Sequence, residues 1–400
     1  MQINSNQKKW EIRVASLVIF ILYFLLILGS LNATESITVV IGTSAIFLAL
    51  LISSVGLVTY IILGKGFAKV QSIIFVLIFI LLIICLISIM NNKFEFKDLV
   101  NSIQMITCLS LVLYISCINI RYSDIKILNI LVAFFVLIHF FVWLALGMPN
   151  MFASIYNNSN LVGPYMFYTS FFLVLGIKYS KYKIIYISML IISMLLMISS
   201  DTRSILLSAL VAVIVFILWN FITKTKFISL IFFFLVILGV LMFIFVYPLL
   251  PTFQFFMPLE QWMLTYTGKS IMSGRNELWV PLLEFINQRP LVGYSPGTMA
   301  SELFSTDQSP HNLYLNILMQ IGYLGLISIL LIFLVIWMTL INVKNNFIVK
   351  LSGSYFIGII IHQSFEITLF QNQLSIGLLQ LFIVAIGLSI AINYKNQIVY

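Results

Sequence analysis

The chain has 400 residues, of which 62% are hydrophobic and 8% charged, against about 25% charged in soluble domains. That excludes a soluble globular enzyme. The formal charge of +9 comes from 21 basic and 12 acidic residues. Their placement decides whether this surplus reports nucleic-acid binding or membrane orientation.

Twelve apolar runs follow one another, roughly 14–31, 37–64, 70–90, 99–120, 127–147, 161–177, 184–200, 204–222, 227–247, 318–342, 349–369 and 374–393. Most are about the ~20 residues a helix needs to cross the hydrocarbon. Every backbone group in lipid must pair within its own segment, so helices are expected. The predicted fold class is therefore an all-α polytopic membrane protein with about 12 transmembrane helices. It reads as one membrane domain over 1–400. The first run lacks a small-x-small cleavage site and is read as an uncleaved anchor rather than a signal peptide.

With the N-terminus inside, 15 of the 21 basic residues fall in inner segments, where only Glu11 and Asp124 are acidic. This is the positive-inside pattern, with both termini cytoplasmic. The surplus charge therefore reports orientation, and no nucleic-acid partner is expected. Cys85, Cys108 and Cys117 lie within runs, without metal-type spacing, and read as small core hydrophobes.

In chain order, the polar features start with the Asn-rich outer loop "GMPNMFASIYNNSNLVGP", which holds Asn160 before a helix start. His139, alone in its run, reads as structural. "SSDTRSILL" joins two runs and is too short to leave the membrane surface. Its Asp201 and Arg203 either pair to close the turn or aim an arginine into an outer cavity. A guanidinium suits phosphate because its planar fork makes bidentate, charge-assisted bonds.

The long outer loop, 248–310, caps the bundle, and loops of this length are usually functional. Its middle, "SGRNELWVPLLEFINQRPLVGYSPG", predicts a short amphipathic helix lying on the outer membrane surface, over the bundle mouth. Ser273 is the expected cap, Glu277 lies in the first turn, and Pro281 suggests a kink. Arg275 is either a solvated cation or a second phosphate ligand. Lys269 and Arg289 are weaker candidates. Trp262, Trp279 and Tyr294 can stack on sugar or sit as interfacial aromatics. His311 follows Pro310 where the loop re-enters apolar sequence, and can act as a general base or as a cap. Asn312 stands beside it. Gly322 and Gly325 allow a neighbouring helix to approach closely. His362 and Glu366, one turn apart, are expected to face the same way. No two-histidine metal motif, glycine-rich phosphate loop or G-x-S-x-G turn occurs.

Four of these stretches carry a resemblance. "HNLYLNILMQIGYLG" has the form H-N, nine residues, G-x-x-G. "GRNELWVPLLEFINQRPLVGYSPG", "TRSILL" with Arg203 and Leu207, and "YNNSNLVGP" precede it. In this order they resemble the motifs of the bacterial O-antigen polymerase and O-antigen ligase superfamily, over about residues 156–325. The resemblance implies a metal-independent membrane glycosyltransferase needing no cofactor, working on the outer face of the bacterial inner membrane. Donor and acceptor would be undecaprenyl-diphosphate-linked oligosaccharides, with a chain-length regulator protein as an additional partner. It implies that Arg203 and Arg275 bind the diphosphate and that His311 assists the acceptor hydroxyl. Asn312, Asn160, Trp279, Tyr294, Arg289 and Glu366 are the expected substrate-binding residues. The expected activity is repeat-unit polymerase. The alternative is a ligase transferring the polymer to lipid A-core, and a lipid-linked oligosaccharide flippase is a more distant one.

Overall fold

The computed structural model describes residues 5–397 other than Ser36, Lys269 and Ser273, with side chains from Val14 to Tyr394. Fourteen α-helices and no strand form among them. Ten are long and apolar enough to cross a membrane, and Lys183–Ser199 and Phe347–His362 are shorter apolar helices. The protein is thus a polytopic all-α membrane protein. Together these helices account for the twelve runs, numbered in chain order as α1 (Ser5–Gly29), α2 (Thr38–Ile62), α3 (Lys69–Met90), α4 (Phe96–Cys117), α5 (Tyr122–Ala145), α6 (Val162–Tyr179), α7 (Lys183–Ser199), α8 (Arg203–Ile222) and α9 (Lys226–Phe245), then, beyond the long loop, α12 (Leu313–Ile341), α13 (Phe347–His362) and α14 (Leu374–Gln397). The loop itself holds α10 (Phe256–Thr267) and α11 (Arg275–Gln288).

Helix α14 sits at the centre, touching α1, α4, α6, α12 and α13. Helix α13 in turn packs along α8, and α12 along α3 and α9. Lipid tails are as apolar as leucine, so helices associate through close packing and polar contacts rather than through apolar burial. Small residues provide the closeness. A Cβ on Gly353 would meet the Trp219 ring at 2.5 Å, and one on Gly358 would meet the Ser208 carbonyl at 2.9 Å. Tryptophans tie helix ends together: Trp337 donates to the Ser229 carbonyl and Trp219 to the Lys344 carbonyl, each at 3.0 Å.

Helix α12 is broken. Gly322 takes φ 64° and ψ −167°, a conformation essentially confined to glycine. The break frees backbone groups in the middle of an apolar helix, where an unpaired group costs several kcal/mol. The turn after α11 replaces the lost bonds. Tyr323 and Leu324 donate to the carbonyls of Pro290 and Leu291, at 2.8 and 3.2 Å. The carbonyls of Met319 and Gln320 accept from Tyr294 and Ser295, at 2.9 and 3.0 Å. Close approach needs glycine on both sides. A Cβ on Gly322 would lie 2.3 Å from the Leu291 oxygen, and one on Gly293 2.5 Å from the Gln320 carbonyl carbon. The expectation that Gly322 admits a neighbouring helix is thereby corrected: it admits the loop.

Two further expectations change. Helix α11 runs through Pro281 without a break, and begins after Gly274 in the left-handed region, at φ 74°. The expected cap Ser273 and the loop cation Lys269 lie outside the described residues. Helix α11 packs on α12 and on the segment Tyr247–Thr252. Its Leu278, Trp279, Leu282 and Ile286 are buried against the bundle. Helix α13 ends at His362, so Glu366 lies in the following turn.

Candidate active site

Arg203 is the first residue of α8, placed there by the tight turn in which Asp201 takes a left-handed φ of 56°. Arg275 is the first residue of α11. Both side chains line one cavity of about 500 Å³ at the loop end of the bundle, within the usual range for ligand sites. Asn160, Asp201, Tyr247, Phe365 and Glu366 share its wall. Asn160 accepts a long bond from the Thr202 hydroxyl at 3.5 Å, which fixes the Asn-rich loop against the Arg203 turn. The Arg275 guanidinium lies 5.5 Å from the centroid of the Phe365 ring, a cation–π contact.

Tyr247 stands within electrostatic reach of both cations. Burial raises the pKa of its phenol above the ordinary value, and the charges of Arg275 and Arg203 both hold that rise back. The hydroxyl donates to the Ile271 carbonyl at 2.5 Å. An anion in this cavity would meet two guanidinium groups at the start of two helices, where the helix dipole also favours negative charge.

His311 is not in the cavity wall; its side chain is half exposed and meets the wall through Glu366. Its Nδ1 lies 3.2 Å from Glu366 Oε2. A carboxylate only accepts, so Nδ1–H donates, and Nε2 is the nitrogen that points away from Glu366 and, in a neutral ring, accepts a proton. Glu366 thus links the cavity to His311. Glu366 stays one turn beyond His362, its N–H on the His362 carbonyl at 3.2 Å, but its carboxylate goes to His311 rather than to His362. That histidine is buried with Nδ1 on Gln380, 3.1 Å away.

Four hydrogen bonds hold the segment around His311, which takes a left-handed φ of 45°. Trp279 Nε1 donates to the Pro310 carbonyl at 2.8 Å. The Asn312 amide donates to the Ser364 carbonyl at 3.0 Å and its oxygen caps Leu315 N–H at 3.0 Å. Leu313 N–H reaches the Gln363 carbonyl at 2.8 Å. The segment bearing His311 is thereby tied to α11, which starts with Arg275, and to the turn bearing Glu366.

These contacts correct two sugar-binding expectations. Trp279 is fully buried against Phe243 and Tyr247, with no ring face open to a sugar. Asn312 is fully buried with both amide atoms engaged. Arg289 and Tyr294 are placed elsewhere. The Arg289 guanidinium stacks 4.8 Å from the Tyr294 ring and bonds Asn92, while the Tyr294 hydroxyl donates to the Phe285 carbonyl at 3.0 Å. They brace the inserted turn. His139 is buried and satisfied by Ser154 and Tyr156. Tyr247 and Phe365 escaped the sequence reading because they sit at the ends of apolar runs and look like span residues. Among the described residues, no group of three or more His, Cys, Asp or Glu gathers as a metal cluster would.

Residues 187–330 match the family model described as O-antigen ligase. The matched segment holds Arg203, Arg275 and His311, whereas Asn160 and Glu366 fall outside it. None of the curated proteins matches the chain. The match, on this all-helical membrane frame, supports the chain's place in the O-antigen polymerase and ligase superfamily.

Proposed function

We propose that the chain is a glycosyltransferase that joins undecaprenyl-diphosphate-linked oligosaccharide repeat units into O-antigen or capsular polysaccharide. It would work on the outer face of the cytoplasmic membrane, with both termini inside, the long loop outside and a chain-length regulator as partner. The observation that carries the reading is one cavity lined by Arg203, Arg275 and Glu366, with Glu366 holding His311.

The chemistry is a displacement at the anomeric carbon of the donor. An acceptor hydroxyl attacks that carbon while its proton passes to His311 Nε2. The bond from the carbon to the diphosphate oxygen breaks, and the lipid diphosphate leaves with the electron pair. Arg203 and Arg275 stabilise the charge developing on that leaving group. Glu366 keeps His311 in the right tautomer and stabilises the imidazolium that forms. Asn160, in the cavity wall, would contact the sugar.

The test uses the purified protein with a lipid-diphosphate-linked repeat unit and no lipid A-core, followed by a gel of the products. A ladder of longer lipid-linked chains supports the polymerase. Transfer only after lipid A-core is added would make it the ligase. No transfer in either arm would overturn the glycosyltransferase reading and point to transport.

A further inference from the structure

Helix α10 was not anticipated in the long loop, and the proposed chemistry does not use it. It touches the rest of the protein mainly through the short 3-10 segment Tyr247–Thr252. Phe255, Leu259, Trp262 and Tyr266 recur at spacings of four, three and four, so they share one face of a helix. They are 59%, 45%, 55% and 72% exposed. Phe256, which is buried, and Glu260 lie to one flank, and on the far side Met257 and Leu264 are also exposed, at 66% and 46%. Glu260, the one charged residue in the helix, accepts the Ile271 N–H at 2.8 Å and so turns toward the cavity wall. The outward stripe is left without charge.

We propose that α10 is an interfacial helix, seated by this stripe in the lipid leaflet at the loop end of the bundle. Three observations favour lipid as the occupant. Exposed apolar side chains continue along the chain from α9 into α10, through Leu238, Met242, Phe245, Leu249 and Phe253. The face is thus continuous with a surface that lies in lipid. Trp262 and Tyr266, with ring centroids 5.3 Å apart, are the residue types enriched at the headgroup level. Phe255 and Leu259 offer no hydrogen bond to a sugar, while Thr265 and Thr267 turn their hydroxyls back to the helix backbone, at 2.8 and 2.7 Å. A helix with such an apolar face can lie in the membrane plane with that face at the acyl boundary. Through Glu260 and Ile271 it would set the cavity at headgroup height, where a lipid-linked diphosphate resides. That consequence rests on the proposed function, but the seating does not.

The test uses the full chain in vesicles of phosphatidylcholine and phosphatidylglycerol, with Cys85, Cys108 and Cys117 replaced by alanine. Trp262→Cys and, separately, Tyr266→Cys are labelled with an environment-sensitive fluorophore. Gln308→Cys, exposed on the polar part of the loop, is the reference. Doxyl-labelled lipid should quench the label at 262 and 266 but not at 308, and aqueous iodide on both sides should do the reverse. Iodide quenching at both stripe positions without doxyl quenching would overturn the proposal. Shielding from iodide by added oligosaccharide, without doxyl quenching, would overturn it in favour of a glycan platform.

Discussion

Replacing Gly322 by alanine strikes the joint between the loop and the broken helix. The residue sits at φ 64°, ψ −167°, and forcing a side chain into that region costs about 1–3 kcal/mol. The added Cβ would lie 2.3 Å from the Leu291 oxygen, so the turn must also move. Withdrawal loses the bonds from Tyr323 to Pro290 and from Leu324 to Leu291, at about 1 kcal/mol each. The sum is roughly 3–5 kcal/mol. For a chain of this size that lowers the apparent melting temperature by on the order of 5 °C. The assay is thermal loss of the monodisperse peak in detergent, scanned at one rate because such unfolding is often irreversible. Gly239→Ala in α9 is the matched control, since a Cβ there meets nothing within 4 Å. Transfer activity should fall with Gly322→Ala, because the displaced turn carries the end of α11 with it. A Gly322→Ala protein that melts with the control and transfers normally would refute the reasoning.

Four further outcomes follow from the site. Arg275→Lys keeps the charge but loses the planar fork, so transfer should fall by about 10-fold or more, against about 10²–10³-fold for Arg275→Ala, in a timed gel assay. Glu366→Gln can donate its amide to His311 Nδ1 and impose the wrong tautomer. Its kcat should fall by about 10²–10⁴-fold, with KM for the lipid-linked donor little changed. Trp279→Phe keeps most of the ring but loses the bond to Pro310. It should lower kcat by about 5–10-fold, from roughly 1 kcal/mol of lost positioning, while the protein stays monodisperse on gel filtration. Tyr247→Phe removes the donor to Ile271 and should weaken donor binding several-fold, read as KM, since the hydroxyl fixes the wall between the two arginines.

The helical membrane fold was legible because lipid leaves the backbone one local solution, and apolar run length reports it directly. Arg203, Arg275 and His311 were legible because a charge or histidine at a helix mouth stands out in a chain this apolar. The partners of these residues were not. Glu366 and His311 are 55 positions apart in sequence, and no local spacing announces that the carboxylate goes to His311 rather than to His362 one turn before it. Trp279 looked like a sugar platform because tryptophan next to an arginine has that chemistry, and burial decided otherwise. Pro281 suggested a kink that α11 does not make. Gly322 announced a close approach, but whether a helix or a loop arrives depends on where the freed peptide groups of Met319 to Leu324 find partners. Helix α10 escaped notice because its apolar stripe is too short to register as a span.

The most direct test separates binding from chemistry. The affinity of purified protein for undecaprenyl diphosphate is measured for the unaltered chain and for Arg203→Ala, Arg275→Ala and His311→Ala. Each arginine supplies charge-assisted bonds worth about 1.5–3 kcal/mol, so each arginine variant should bind roughly 10- to 150-fold more weakly. His311→Ala should bind as the unaltered chain does and yet transfer no sugar. Arginine variants with full affinity, or a His311→Ala protein with normal transfer, would contradict the assignment of the diphosphate to that cavity and of the base to His311.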